Sequence, residues 1–353
     1  MNFSSYFKRA DPLLLLAIGF LILTSTIILN SIAKFIFPIY FLYLFLGILF
    51  FFIFSLFDFE VLSLFSKFLY ISSIVLLILP LLIGQVTRGA VRWIPLGPLT
   101  IQPAEIVRPF LLIFFAAFLT NTTVTFKRLI KALFLLVLPV ALILIQPSLG
   151  IAILTTVGFW GILIASAFSK RYILLGALLF LSAVPIFFYF LAPYQKQRLL
   201  TFIEPSKDPR GAGYNSIQSM ISVGSGKLLG RGLGKGVQTQ LAFLPERQTD
   251  FVFASIAEEL GFVGAALILC SLFLLVLRLL YILENAGGVS ERAYLSGFVL
   301  IFLMQILIHI GMNMGLLPIT GIPLPLVSAG GSSFLGTMIG LGIAIGCRKK
   351  IVA

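Results

Sequence analysis

"PLLLLAIGFLILTSTIILNSI", Pro12 to Ile32, decides what kind of protein this chain is. Not one of its residues is charged. At 1.5 Å per residue a helix of this length reaches about 31 Å, which matches a hydrocarbon core of about 30 Å. The run is too long for the apolar region of a cleavable signal, and further runs of the same kind follow it. Over all 353 residues, 60% are hydrophobic and 10% charged, with 36 Phe and a mean hydropathy of +1.13. A water-soluble globule is excluded by these values. Continuous apolar runs also exclude the alternating pattern of a membrane barrel, which leaves a bundle of helices.

Working outward from Pro12 to Ile32, the hydropathy predicts about ten spans. The others are Ile36 to Leu56, Leu64 to Gly84, Pro103 to Thr120, Ala132 to Gln146, Leu149 to Phe168, Tyr172 to Ala192, Phe251 to Leu283, Ala293 to Met314 and Ser328 to Cys347. The expected fold class is an all-α integral membrane protein, with residues 1–353 forming one polytopic domain. Lys8 and Arg9 precede the first span, and Arg348, Lys349 and Lys350 follow the last. The positive-inside rule therefore puts both termini in the cytoplasm, together with Lys127, Arg128, Lys131, Lys170 and Arg171. Cys270 and Cys347 both fall in apolar helical stretches and indicate neither a disulfide framework nor a metal site.

This topology leaves two segments outside, Gln85 to Gln102 and a large loop at about 193–250, between spans seven and eight. The loop is basic: Lys196, Arg198, Lys207, Arg210, Lys227, Arg231, Lys235 and Arg247 stand against Glu204, Asp208, Glu246 and Asp250. Long loops translocate whatever their charge, so the orientation stands. Basic side chains and glycine-rich backbone beside a bilayer suit an anionic ligand such as a lipid phosphate. A nucleic-acid partner is not expected. The cluster "GSGKLLGRGLGKG", Gly224 to Gly236, is not a nucleotide loop, because Ile221 and Leu228 stand where a Walker motif needs Gly and Ser or Thr.

One third of the twelve acidic residues sit in "FLPERQTDFVFASIAEELG", Phe243 to Gly261: Glu246, Asp250, Glu258 and Glu259. Asp250 stands where the loop becomes a helix, which fits an N-cap as well as a reactive carboxylate. Glu258 is about 12 Å further along that helix. A carboxylate at such depth costs about 2.5–3.5 kcal/mol in lipid unless it is paired or hydrated. "TIQPAEIVRPF" opens the fourth span with Glu105 and Arg108 on one helical face, either a structural ion pair or one wall of a cavity shared with Asp250. Gln305, His309 and Asn313 recur at helical spacing on the ninth span, a polar stripe suited to holding helices together.

These stretches carry a family resemblance. "FLPERQTDFVFASIAEELGFVG", "KDPRGAGYNSIQSMISVGSGKLLGRGLGKG", "GLLPITGIPLPLVSAGGSS" and "RWIPLGPLTIQPAE" occur in order between Arg92 and Gly346. Together they resemble the SEDS family, the RodA/FtsW polymerases of peptidoglycan glycan strands. The resemblance implies an inverting glycosyltransferase that joins lipid II to a lipid-linked growing strand at an external active site. It makes Asp250, the acid of "TDF", the catalytic residue. Pyrophosphate is already a good leaving group, so one base plus cations suffices, where glycosidases need two carboxyl groups. Candidate substrate-binding residues are Glu105, Arg108, Arg210, Lys227, Arg231, Lys235 and Arg247. Candidate site-lining or structural residues are Arg92, Trp93, Glu246, Glu258, Glu259 and Ser328. A divalent cation, Mg or Mn, is a candidate cofactor without identifiable protein ligands.

The chain departs from the family pattern at Ala104, Arg108, Ser148 and Ala329, where Ser, Lys, Asp and Tyr are usual. Arg cannot act as a proton shuttle, so position 108 supplies charge only. The implied partners are a class B penicillin-binding protein for cross-linking and other cell-elongation membrane proteins. The short predicted cytoplasmic ends favour a RodA-like elongation role over an FtsW-like division role. A lipid II flippase or a secondary transporter is the alternative class. No internal repeat supports a transporter.

Overall fold

The structure, a computed structural model, describes residues 11–87, 90–121, 125–166, 193–204 and 211–348. Six of its helices are long and apolar enough to cross a membrane: α1 (Pro12–Ile32), α2 (Phe37–Leu56, preceded by a short 3-10 turn), α4 (Ser66–Ile83), α7 (Phe126–Ile145), α12 (Val252–Glu284) and α13 (Val289–Asn313). Three shorter apolar helices join them, α6 (Arg108–Thr120), α8 (Leu149–Ala165) and α14 (Gly331–Gly346). A short helix, α3 (Phe59–Leu64), links α2 to α4. The predicted span Tyr172 to Ala192 lies outside the described residues.

Helix ends follow local chemistry. Asp11 caps α1 by accepting from Leu14 N at 3.1 Å, and it also takes a forked contact from Arg278 at 2.5–3.1 Å, which ties the start of α1 to α12. The fourth span is not continuous as expected. It divides at Val107 into α5 (Pro103–Ile106) and α6. Pro109 has no N–H to offer the Glu105 carbonyl one turn back, so the helical ladder breaks there. Helices α8 and α13 meet through small residues: a Cβ on Gly161 would lie 2.7 Å from Gly297 Cα, so backbone touches backbone.

Gln85 to Gln102 folds as a three-stranded antiparallel sheet in the order β1 (Gln85–Thr87), β2 (Ala90–Leu96), β3 (Leu99–Ile101). The Gly97-Pro98 turn joins β2 to β3, with Gly97 at φ +62°. Among the described residues, this sheet is the departure from an all-α bundle. It is held down by Tyr43 of α2, whose hydroxyl donates to Thr100 O at 2.6 Å and accepts from Thr100 N at 3.0 Å.

The described residues 193–204 and 211–250 form a built segment. It contains α9 (Pro193–Ile203), α10 (Ala212–Ser225) and α11 (Val237–Gln240). Helix α12 is interrupted at Gly261, with φ 68° and ψ −165°. Phe251 through Glu259 are all buried, whereas Phe262, Val263 and Leu267 are exposed. The hairpin at 226–236 locks onto this break through Arg231 N to Glu258 O (2.9 Å), Gly232 N to Glu259 O (3.0 Å), Phe262 N to Lys227 O (2.9 Å) and Val263 N to Leu228 O (3.1 Å). The upper third of α12 is therefore packed in protein. Glu258 and Glu259 do not meet lipid.

Candidate active-site cavity

Asp250 is presented by a short turn. Thr249 N and Phe251 N both donate to Glu246 O, at 3.0 and 3.2 Å, and Thr249 Oγ1 donates to Glu246 Oε2 at 3.0 Å. The turn is fastened to the coil before α14. Ser328 Oγ donates to Thr249 O at 2.8 Å while accepting from Leu324 N at 2.8 Å, and Ala329 N donates to Gln248 O at 2.9 Å. Among the described residues, the side chain that closes the first turn of α12 is that of Asn313. Its Oδ1 accepts from Ala254 N at 3.0 Å and its Nδ2 donates to Asp250 O at 3.0 Å. Asp250 itself reaches the wall of a cavity. Gly321, at φ +72°, passes so close that a Cβ there would sit 3.5 Å from Asp250 Oδ2.

The cavity holds about 840 Å³ and opens among α2, the sheet, α5, the turn before α8, α9, the 248–250 turn and the coil 318–330. Glu105, Arg92, Trp93 and Ser328 line it with Asp250. Glu105 is ion-paired with Arg108, and both are buried. Arg108 lies behind the wall and also donates to Gln305 Oε1 at 3.4 Å. Gln102 fixes the mouth of α5: its N donates to Ser332 Oγ at 2.8 Å and its Nε2 to Ser148 Oγ at 3.2 Å. The stripe Gln305, His309, Asn313 ties helices together, as expected, with Gln305 Nε2 donating to Ser333 Oγ of α14 at 3.2 Å, and it also binds coil backbone. Gln305 Nε2 donates to Pro323 O at 2.9 Å, His309 Nδ1 lies 2.7 Å from Ile322 O, and Asn313 holds Asp250. The reason is the coil between α13 and α14, whose carbonyls have no helical partners and must be met by side chains.

Several candidates fall elsewhere. Lys227, Arg231 and Lys235 are exposed on the hairpin, away from the cavity, and Arg231 sits 4.0 Å from Glu258 and 3.2 Å from Ser225 Oγ. Arg247 donates to Ile32 O at 3.0 Å, at the end of α1. Glu258 accepts from Gln238 N and Thr239 N at 2.9 and 3.0 Å, capping α11. Glu259 accepts from Ser31 Oγ at 2.6 Å and Gln240 Nε2 at 2.7 Å. These carboxylates are buried because they are fully engaged by donors. Arg210 lies outside the described residues. A cation the sequence reading passed over does line the cavity: Arg198 of α9, with Nη1 donating to Ile319 O at 3.2 Å. Its spacing in "PYQKQRLLTFI" carries no site signal by itself.

The model of the FtsW, RodA and SpoVE cell cycle proteins matches residues 10–350. The chain belongs to that family. It is 40% identical to the peptidoglycan glycosyltransferase MrdB of Escherichia coli over 283 residues, 79% of this chain and 76% of that one. It is 33% identical to a probable peptidoglycan glycosyltransferase FtsW of Coxiella burnetii over 350 residues, covering 94% and 92% of the two chains. Among solved structures it matches a chain of a peptidoglycan synthase complex that coordinates polymerization and crosslinking, with TM-score 0.81, 30% identity and 95% and 96% coverage. It also matches the rod shape determining protein RodA of Thermus thermophilus, with TM-score 0.72, 27% identity and 97% and 98% coverage. As a member of the FtsW/RodA/SpoVE family, the chain is a multi-pass membrane protein built of helices. Ser148 and Ala329 both stand in the cavity wall.

Proposed function

We propose that this chain is a peptidoglycan glycosyltransferase that extends glycan strands from lipid II at the external face of the cytoplasmic membrane. The observation that carries the reading is Asp250 on the wall of a cavity that also holds Glu105, Arg92 and Arg198. In this reading Asp250 removes the proton from the acceptor sugar hydroxyl as its oxygen attacks the anomeric carbon of the lipid-linked strand. The bond from that carbon to the pyrophosphate breaks, and the lipid pyrophosphate leaves with the electron pair. Arg92 and Arg198 are better placed to neutralise it than Lys227, Arg231, Lys235 or Arg247, since only the first two line the cavity. Arg108 acts through Glu105 and supplies charge.

Among the described residues no three His, Cys, Asp or Glu side chains cluster as a metal cage. Asp250 would be the cavity residue to hold a divalent cation, in keeping with the one or two carboxylates by which Mg²⁺ is usually held. When bound, it would add positive charge at the leaving group.

Basic residues at Arg128, Arg278 and Arg348 support cytoplasmic termini and an external cavity. The likeness to a synthase-complex chain supports a class B penicillin-binding protein as cross-linking partner, and the 40% identity to MrdB supports an elongation role. The test is polymerisation of purified lipid II, with and without that partner and a divalent cation. Wild type should yield long strands. Asp250→Asn should yield none while still binding lipid II, and normal turnover in this variant would remove Asp250 from the chemistry. Vesicles that translocate lipid II without polymer forming would replace the enzyme with a flippase.

A further inference from the structure

We propose that the hairpin at 226–236 is a rigid anchor that seats Leu228 and Leu229 in the outer edge of the phospholipid bilayer, at the end of the bundle where the cavity opens, with Lys227 and Arg231 meeting anionic lipid headgroups. The first observation is a length. Helix α12 has 33 residues, too long for one crossing. From the break at Gly261 to Glu284 it has roughly 23 residues, about 34 Å, close to the hydrocarbon thickness of about 30 Å. Burial changes at the same place, since residues through Glu259 are enclosed and Phe262 (66%), Val263 and Leu267 are exposed. The bilayer edge therefore falls at Gly261.

The hairpin is bonded to that level, through Val263 N to Leu228 O and Phe262 N to Lys227 O. Leu228 and Leu229 are 68% and 81% exposed there, continuous with the apolar surface of α12. The hairpin is also unable to fold them inward. A Cβ on Gly230 would lie 2.2 Å from Glu259 O, and one on Gly226 would lie 1.7 Å from Ala257 O, so its backbone is pressed onto α12. Exposed Lys227 and Arg231 flank the leucines, the arrangement of an interfacial element on an anionic headgroup layer. A lipid surface fits this apolar tip with a basic collar. It leaves the glycines and basic residues of this segment a role outside the cavity.

The experiment places one reporter at a time in the full chain, in a Cys270→Ser background because Cys270 is exposed and Cys347 buried. Leu229→Cys carries a polarity-sensitive fluorophore, and Phe273→Cys, exposed in mid-span, serves as the deep control. The proteins are reconstituted in vesicles of phosphatidylethanolamine and phosphatidylglycerol. Quenching by a lipid with a nitroxide near the headgroup should be strong at 229, and quenching by aqueous iodide should fall several-fold from its value in detergent-free amphipol. Quenching at 273 should instead be strongest with the nitroxide deep in the acyl chain. Full iodide access at 229 in vesicles overturns the proposal, as does shielding that arises only when a single-span partner is co-reconstituted. In Lys227→Ala with Arg231→Ala, the label at 229 should become shallower in phosphatidylglycerol vesicles and no different in phosphatidylcholine vesicles. An equal change in both lipids would overturn the preference for anionic headgroups. None of these readouts depends on glycan synthesis.

Discussion

Arg108→Met tests the polar wall of the cavity most directly. Glu105 and Arg108 are 3% and 5% exposed and ion-paired, and the guanidinium has a second acceptor in Gln305. Removing one partner of a buried pair typically costs about 3–5 kcal/mol, because the other charge stays behind. Glu105 also lines the cavity, where water can reach it, so the lower end of that range, about 3 kcal/mol, applies here. That is a large share of the roughly 5–15 kcal/mol by which a protein is usually stable. Arg108→Lys keeps the charge and loses the fork, and it should cost about 1 kcal/mol. Glu105→Gln combined with Arg108→Met removes both charges and should recover most of the loss, about 2 of the 3 kcal/mol. Denaturant unfolding in micelles, followed by the fluorescence of Trp93 and Trp160, measures all four proteins. An Arg108→Met protein within about 0.5 kcal/mol of wild type, or a double variant no better than the single, refutes the reasoning.

Gly261→Ala should lose about 2–4 kcal/mol in the same assay: about 1–3 from a positive-φ, extended-ψ backbone that is essentially glycine's alone and the rest from a Cβ 2.2 Å from Gly230 N. Gly224→Ala, where a Cβ meets nothing within 4 Å, should be neutral or gain up to about 1 kcal/mol. Asn313→Ala should cost about 1–2 kcal/mol and lower polymerisation, since it frees both Ala254 N and Asp250 O. Asn313→Asp keeps the acceptor for Ala254 N but not the donor to Asp250 O, so strand synthesis should recover less than stability does; parallel recovery would make Asn313 a helix cap alone. Glu258→Gln keeps one of two accepted N–H bonds and loses the charge, so cleavage by added protease near Val237 should rise as α11 frays.

The apolar runs determined that this chain crosses a membrane as helices, because no other use of Pro12–Ile32 or Phe37–Leu56 satisfies both backbone and side chains in lipid. The family motifs, Asp250 and the Glu105–Arg108 pair were legible for a related reason: acids are scarce here, and charge in an apolar chain is expensive enough to be visible. Local sequence was silent where the decisive contacts are distant. Asn313 and Ser328 hold the Asp250 turn from 63 and 79 residues away, and Glu259 finds its partner Ser31 at a separation of 228. The same blindness made the basic residues of the 193–250 segment look equivalent. Only the fold sends Arg198 to the cavity wall and Lys227 and Arg231 to the hairpin, because a charge's position is set by the backbone that carries it. That backbone turns on Gly226, Gly230 and Gly261, whose missing Cβ atoms permit a contact between segments 30 residues apart that neither segment announces on its own.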